Sequence, residues 1–172
     1  SLHDALPIYE EAFTMLNEAV KELLNVQVNK EFYSAYLYLS MANYYNEEGL
    51  SGFGNWFTIQ AQEERDHAML FLEYLQNNGA HVELKTVEAP KKQFKEFKDP
   101  LNESLKHERY VTASIHNIYA AASNVKDFRT MQFLDWFVKE QGEEEKTAED
   151  LIKKLELFGQ DGKGLYMLDS EI

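Results

Sequence analysis

The chain contains no cysteine, which excludes disulfides, cysteine zinc ribbons and thiol chemistry. Backbone breakers are scarce too: the 172 residues hold three prolines and eight glycines, and neither occurs between Leu16 and Asn46. A stretch that free of breakers is open to one long helix. No apolar run reaches the roughly 18 residues a membrane span needs, so no membrane segment is expected. The N-terminus from Ser1 to Pro7 lacks a basic region followed by an apolar core, so no secretory signal is expected and a cytoplasmic location is the plain reading. Positive charge is short, with 17 Lys and Arg against 30 Asp and Glu and a formal net charge of −13. That balance disfavours nucleic acid and anionic membranes as partners and favours cations.

Apolar residues make up 44% of the chain, with 11 Phe and 10 Tyr. This suffices for the packed interior of one domain over residues 15–172. Residues 1–14 do not share the periodicity that follows and are expected to be a disordered leader or an expression remnant.

Four stretches carry apolar residues at alternating steps of four and three, the inner line of a helix. The first runs Val20, Leu24, Gln27, Glu31, Ser34, Tyr38, Met41, Tyr45. Gly49 and Gly52 bracket Ser51, read as a closing glycine and a capping serine, so the second helix should return antiparallel to the first. Its line is Phe53, Phe57, Gln60, Glu64, His67, Phe71, Tyr74. About twenty residues without period follow Asn77-Asn78-Gly79, long enough for a crossover along the bundle. Asp99-Pro100 then reads as a cap and a first helical proline. The third line is Leu101, Leu105, Glu108, Thr112, Ile115, Tyr119, Ala122, and after a break at 124–127 the fourth is Thr130, Leu134, Phe137, Gln141, Glu144, Ala148, Leu151, Leu155, Phe158. The bundle should end near residue 159, with a short fifth helix over 165–172. The expected fold is all-α: an up-down four-helix bundle with one long crossover between the second and third helices.

Each inner line is broken by acid: Glu31 on the first helix, Glu64 and His67 on the second, Glu108 on the third, Gln141 and Glu144 on the fourth. Burying such groups costs several kcal/mol unless something compensates. In an up-down bundle they meet at about one height. Four carboxylates, one imidazole and one amide form an oxygen-rich set that suits two divalent ions about 3.5–4 Å apart better than a single zinc. Iron is the natural redox candidate, since two Fe(II) together can give O2 two electrons. Tyr38, two turns after Glu31, is placed to hydrogen-bond a ligand. Glu140, Glu143 and Glu144 lie alongside Glu63, a looser third metal position, and Gly142 beside them suggests a close approach to the backbone. The same residues leave room for a di-metal oxidase or oxygenase acting on an organic substrate, or for a metal-free helical interaction module.

The motifs Leu24-Asn25-Val26-Gln27-Val28-Asn29-Lys30-Glu31 with Tyr38, Gln62-Glu63-Glu64-Arg65-Asp66-His67, Lys106-His107-Glu108, Trp136 with the acidic run 140–146, and Gly164-Leu165-Tyr166 resemble the prokaryotic non-haem ferritins. The resemblance extends over most of 16–172. It implies a ferroxidase centre, with site A formed by Glu31, bridging Glu64 and His67, and site B by Glu64, Glu108 and Glu144 with Gln141 nearby. It further implies a third site from Glu63, Glu140, Glu143 and Glu144, and a hollow 24-subunit homo-oligomer that oxidises Fe(II) with O2 and stores a ferric mineral. Two departures bear on this. The fourth helix offers Gln141 where symmetric di-iron bundles repeat the Glu-x-x-His pair, so site B should be weaker or more exchangeable. Arg65 stands where bacterioferritins place a haem-ligating Met, so no haem is expected.

Overall fold

The computed structural model describes residues 16–90 and 93–172; the leader expected over 1–14 lies outside the described residues. Five helices follow in order: α1 (Glu18–Glu47), α2 (Ser51–Asn77), α3 (Lys98–Asn124), α4 (Phe128–Phe158) and α5 (Gly162–Glu171). The described residues contain no strand, and the fold is all-α.

Local chemistry sets the helix ends. Asn17 caps α1, its side-chain oxygen accepting from the N–H groups of Ala19 and Val20. Gly49 takes φ +83 in the turn to α2, a conformation glycine adopts without steric cost. Ser51 does not cap α2 as expected, being its first residue. Leu50 occupies the capping position and offers no acceptor. The acceptor comes instead from α5, where Asp169 Oδ1 receives the N–H of Phe53 at 2.9 Å. Asp99 also departs from its expected role. Helix α3 already starts at Lys98, and the Asp99 carboxylate turns back to accept from the N–H groups of Lys95 and Glu96 at 2.9 and 2.8 Å. Helix α5 begins at Gly162 rather than 165, because Asp161 caps it by accepting from Gly164 N–H.

The inner lines of α1 and α2 are buried throughout, and that of α4 is buried except at Phe158, which is exposed. The α3 line needs correction. Leu105, Thr112 and Tyr119 are half-buried, and Ser104, His107, Val111 and Ile118 take the inward places beside Glu108 and Ile115. A buried helical stripe is wider than one residue line, and α3 turns its adjacent row inward.

The apolar core forms two clusters. One joins Val20, Leu24 and Val28 of α1 to Phe71 and Leu75 of α2, Val111 and Ile115 of α3, and Leu134 and Phe137 of α4. The other joins Leu37, Tyr38 and Met41 to Phe53 and Phe57, Leu101, and Leu151 and Leu155. Helices α1 and α4 therefore run from the first cluster to the second, and α2 and α3 run the opposite way. The α2–α3 connection must return along the bundle, about 40 Å for a helix the length of α2. Of its described residues, Ala80 and Val82 lie against the first cluster and Phe94 and Phe97 against the second. Asn25 straps it to α1, donating to Glu83 O and accepting from Glu83 N–H. Between the two apolar clusters lies a polar layer.

Candidate metal centre

Helices α1 to α4 each contribute to that layer at the place where acid interrupts the inner line. Glu31, Glu64 and Glu108 are 1% exposed, Gln141 2%, His67 5% and Glu144 8%. Two groups of donors converge: Glu31, Glu64 and His67 form one, Glu64, Glu108 and Glu144 the other, with the donor atoms of each group all within 4.8 Å of one another. Glu64 belongs to both and stands between them.

The hydrogen bonds around these groups are directional. Gln27 Nε2 donates to Glu31 Oε1 at 2.9 Å. Tyr38 Oη donates to Glu108 Oε1 and lies 3.2 Å from Ser104 Oγ. Tyr38 thus supports a carboxylate of α3 rather than one on its own helix. Gln141 Nε2 donates to Glu108 Oε2 at 3.0 Å and to the Glu108 carbonyl at 3.2 Å. Since a carbonyl only accepts, the Gln141 NH2 must face Glu108, and the residue acts there as a donor. The His67 ring stands edge-on to Trp136 and Phe137, with centroids 5.5 and 5.9 Å away.

Four polar atoms stay buried without a hydrogen-bond partner among the described residues: Glu31 Oε2, Glu64 Oε1, His67 Nδ1, and Gln60 Oε1 one turn earlier on α2. Unpaired buried acceptors are rare in native proteins and call for an explanation. Three of these four belong to a single donor group. Crowding has an electrostatic signature as well. Burial above all, and then the neighbouring Glu64 carboxyl, raise Glu31 well above the usual carboxylate range. Burial and the Glu108 carboxylate do the same to Glu64. Burial raises Glu108, against the hydrogen bonds from Tyr38 and Gln141. Glu144 is pushed up to about 8 by burial and then by Glu108. So many carboxyls resisting ionisation in one layer is the electrostatic signature of a site that suits cations.

The third grouping is looser. Glu63 and Glu140 are half-buried and close enough to Glu144 to raise its carboxyl further, whereas Glu143 is exposed. None of these three joins either converging donor group among the described residues. A Cβ at Gly142 would meet nothing within 4 Å, so packing does not account for that glycine. Several contributors had no role in the sequence reading. Gln27 carried a signal, four residues before Glu31 on the same line, where an i,i+4 amide–carboxylate bond is expected. Ser104 carried none, because it lies on the α3 row assigned outward.

The family model for the ferritin-like domain of ferritins matches residues 21–158. The bacterial non-heme ferritin of Campylobacter jejuni is 40% identical over 158 residues, covering 92% of this chain and 95% of that protein. The bacterial non-heme ferritin of Staphylococcus aureus is 39% identical, with the same coverage of both chains. Among solved structures, the open-pore ferritin of the hyperthermophilic archaeon Archaeoglobus fulgidus superposes with a TM-score of 0.89 at 43% identity, over 92% of this chain and 96% of its own. An interrupted four-helix core with its acids at one level, matched over nearly its whole length by these relatives, makes this chain a member of the ferritin family.

Proposed function

We propose that this protein stores iron and is a ferroxidase: it oxidises Fe(II) with O2 at paired sites within each subunit and deposits Fe(III) as a mineral inside a homo-oligomeric shell of 24 subunits. The observation that carries this reading is the convergence of buried, unpartnered acceptors from Glu31, Glu64 and His67 beside the second donor group of Glu64, Glu108 and Glu144. Fe(II) is the substrate. One ion is held by Glu31, Glu64 and His67, the other by Glu64, Glu108 and Glu144, and the shared Glu64 keeps them adjacent. Adjacent ions can deliver two electrons to O2 together, avoiding one-electron release of superoxide.

The chain's own groups set the conditions for this. Tyr38 and Gln141 take up lone pairs of Glu108 and so fix which face of that carboxylate remains for an ion. Trp136 and Phe137 wall His67 and orient its ring. The carboxyls shed protons as ions bind, since ligands must be deprotonated. Glu63, Glu140 and Glu143 supply a more exposed acidic approach beside Glu144, suited to a third, exchangeable ion. No described helix is long and apolar enough to cross a membrane.

Aerobic addition of Fe(II) with stopped-flow absorbance tests the chemistry. Glu64→Ala and His67→Ala should each remove the rapid oxidation phase, and an unchanged rate in both variants contradicts the assignment. Electron microscopy tests storage, with a hollow sphere and an electron-dense centre expected.

A further inference from the structure

Glu31 ends a string of four polar side chains that joins α1 to α3. Lys30 Nζ donates to Ser114 Oγ at 2.8 Å, Ser114 Oγ donates to Gln27 Oε1 at 2.8 Å, and Gln27 Nε2 donates to Glu31 Oε1 at 2.9 Å. We infer that Ser114, acting through Gln27, is a positioning residue that decides which oxygen of Glu31 is presented to the ion. This rests on the proposed metal-binding role of Glu31.

The string is polarised from the Lys30 ammonium toward the Glu31 carboxylate. The Lys30 ammonium has donors and no lone pair, so Ser114 Oγ must accept from it. The single Ser114 hydroxyl proton is then left for the Gln27 amide oxygen. With its oxygen held there, the Gln27 amide must turn its NH2 toward Glu31. Gln27 is 1% exposed, so no bulk water competes for either end. Without Ser114 the amide can flip, and its oxygen would then face a carboxylate oxygen, a repulsive contact in a buried site. As built, Glu31 Oε1 is occupied and Oε2 is the oxygen left buried and unpartnered. Oε2 is therefore the atom offered to the ion. Lys30 is itself steadied by the Tyr110 ring, 5.2 Å from its ammonium, which anchors the outer end of the string on α3. Ser114 is not a catalytic residue, since it touches neither ion nor ligand atom.

The test uses Co(II) added to the ion-free, assembled protein, read by ligand-field absorption and by titration. Ser114→Ala should change the Co(II) spectrum and weaken binding at the Glu31 half by about tenfold, the lower range for loss of a group supporting a metal ligand. Ser114→Thr, which keeps the hydroxyl, should restore both. Because Ser114 acts only through Gln27, Ser114→Ala should have no further effect in a Gln27→Met background. A Ser114→Ala spectrum and affinity equal to those of the unmodified protein overturns the inference alone, as does an undiminished Ser114 effect in the Gln27→Met background. Absence of any Co(II) site in the unmodified protein overturns this inference together with the proposed function.

Discussion

Glu64 Oε2 stands 3.5 Å from His67 Nδ1, yet that buried ring nitrogen has no hydrogen-bond partner. A charged pair free to close would settle nearer 2.8 Å. The two residues, one helical turn apart, are held facing a common third position instead. His67→Ala should therefore weaken divalent-ion binding at the Glu31 half by on the order of a hundredfold, because loss of even an indirect partner of a ligand costs about 10–100-fold. Anaerobic titration calorimetry with Fe(II) or Zn(II) measures it. The Glu108 half should retain most of its affinity.

Groups that attract cations strain the protein when none is bound. Glu31, Glu64, Glu108 and Glu144 all resist ionisation in their buried layer. Glu64→Gln keeps the shape and removes one acid from the middle of them. The ion-free variant should be more stable than the parent, on the order of 1 kcal/mol by analogy with neutralised buried charges. Its gain in melting temperature on adding Zn(II) should shrink. Paired melting curves with and without metal check both signs, and a lower ion-free melting temperature contradicts the account.

The pH dependence follows from Glu144, whose carboxyl is pushed up to about 8 by burial and by Glu108. In the unfolded chain it returns to about 4.3. Between these values the folded, ion-free protein binds more protons than the unfolded one. Stability contributed by this group is thus fully present at the acidic end and is lost as pH rises toward about 8. Ions compete with those protons, so affinity at the Glu108 half should rise across the same window. Denaturant midpoints of the ion-free protein at about pH 5, 6.5 and 8 measure the slope, and Glu144→Gln should flatten it.

How much of this could be read beforehand depended on the kind of signal. The inward placement of the candidate residues was legible because a charged residue in an apolar line of strict 4-3 spacing has few explanations, and Glu31, Glu64, His67, Glu108, Gln141 and Glu144 are all buried as that spacing required. The crossover was legible from length alone. The start of α2 was less so, because its acceptor comes from distant chain: Asp169 on α5 supplies what Leu50 lacks. On α3 the inward row was misplaced at Leu105, Thr112 and Tyr119. Ser104 and His107 are polar and argued against burial until Tyr38 and Ser34 were seen to pair with them, at 3.2 and 2.7 Å.

Helix α5 buries Leu168 in the second cluster and makes one close backbone approach to α2. A Cβ at Gly52 would lie 1.7 Å from the backbone oxygen of Asp169, so Gly52→Ala must push α5 away from α2. Asp169→Ala leaves the approach intact and removes only the cap on Phe53 N–H, worth about 0.5–2 kcal/mol. Hydrogen exchange at Phe53 and along α5 should quicken strongly in Gly52→Ala, whereas in Asp169→Ala the change should be largest at Phe53.

The most direct test of the centre is anomalous scattering from crystals soaked anaerobically in ferrous salt. Two peaks per subunit are predicted, one among Glu31, Glu64 and His67 and one among Glu64, Glu108 and Glu144, with Glu64 touching both. Crystals that bind iron elsewhere but show no peak inside this layer would contradict the account.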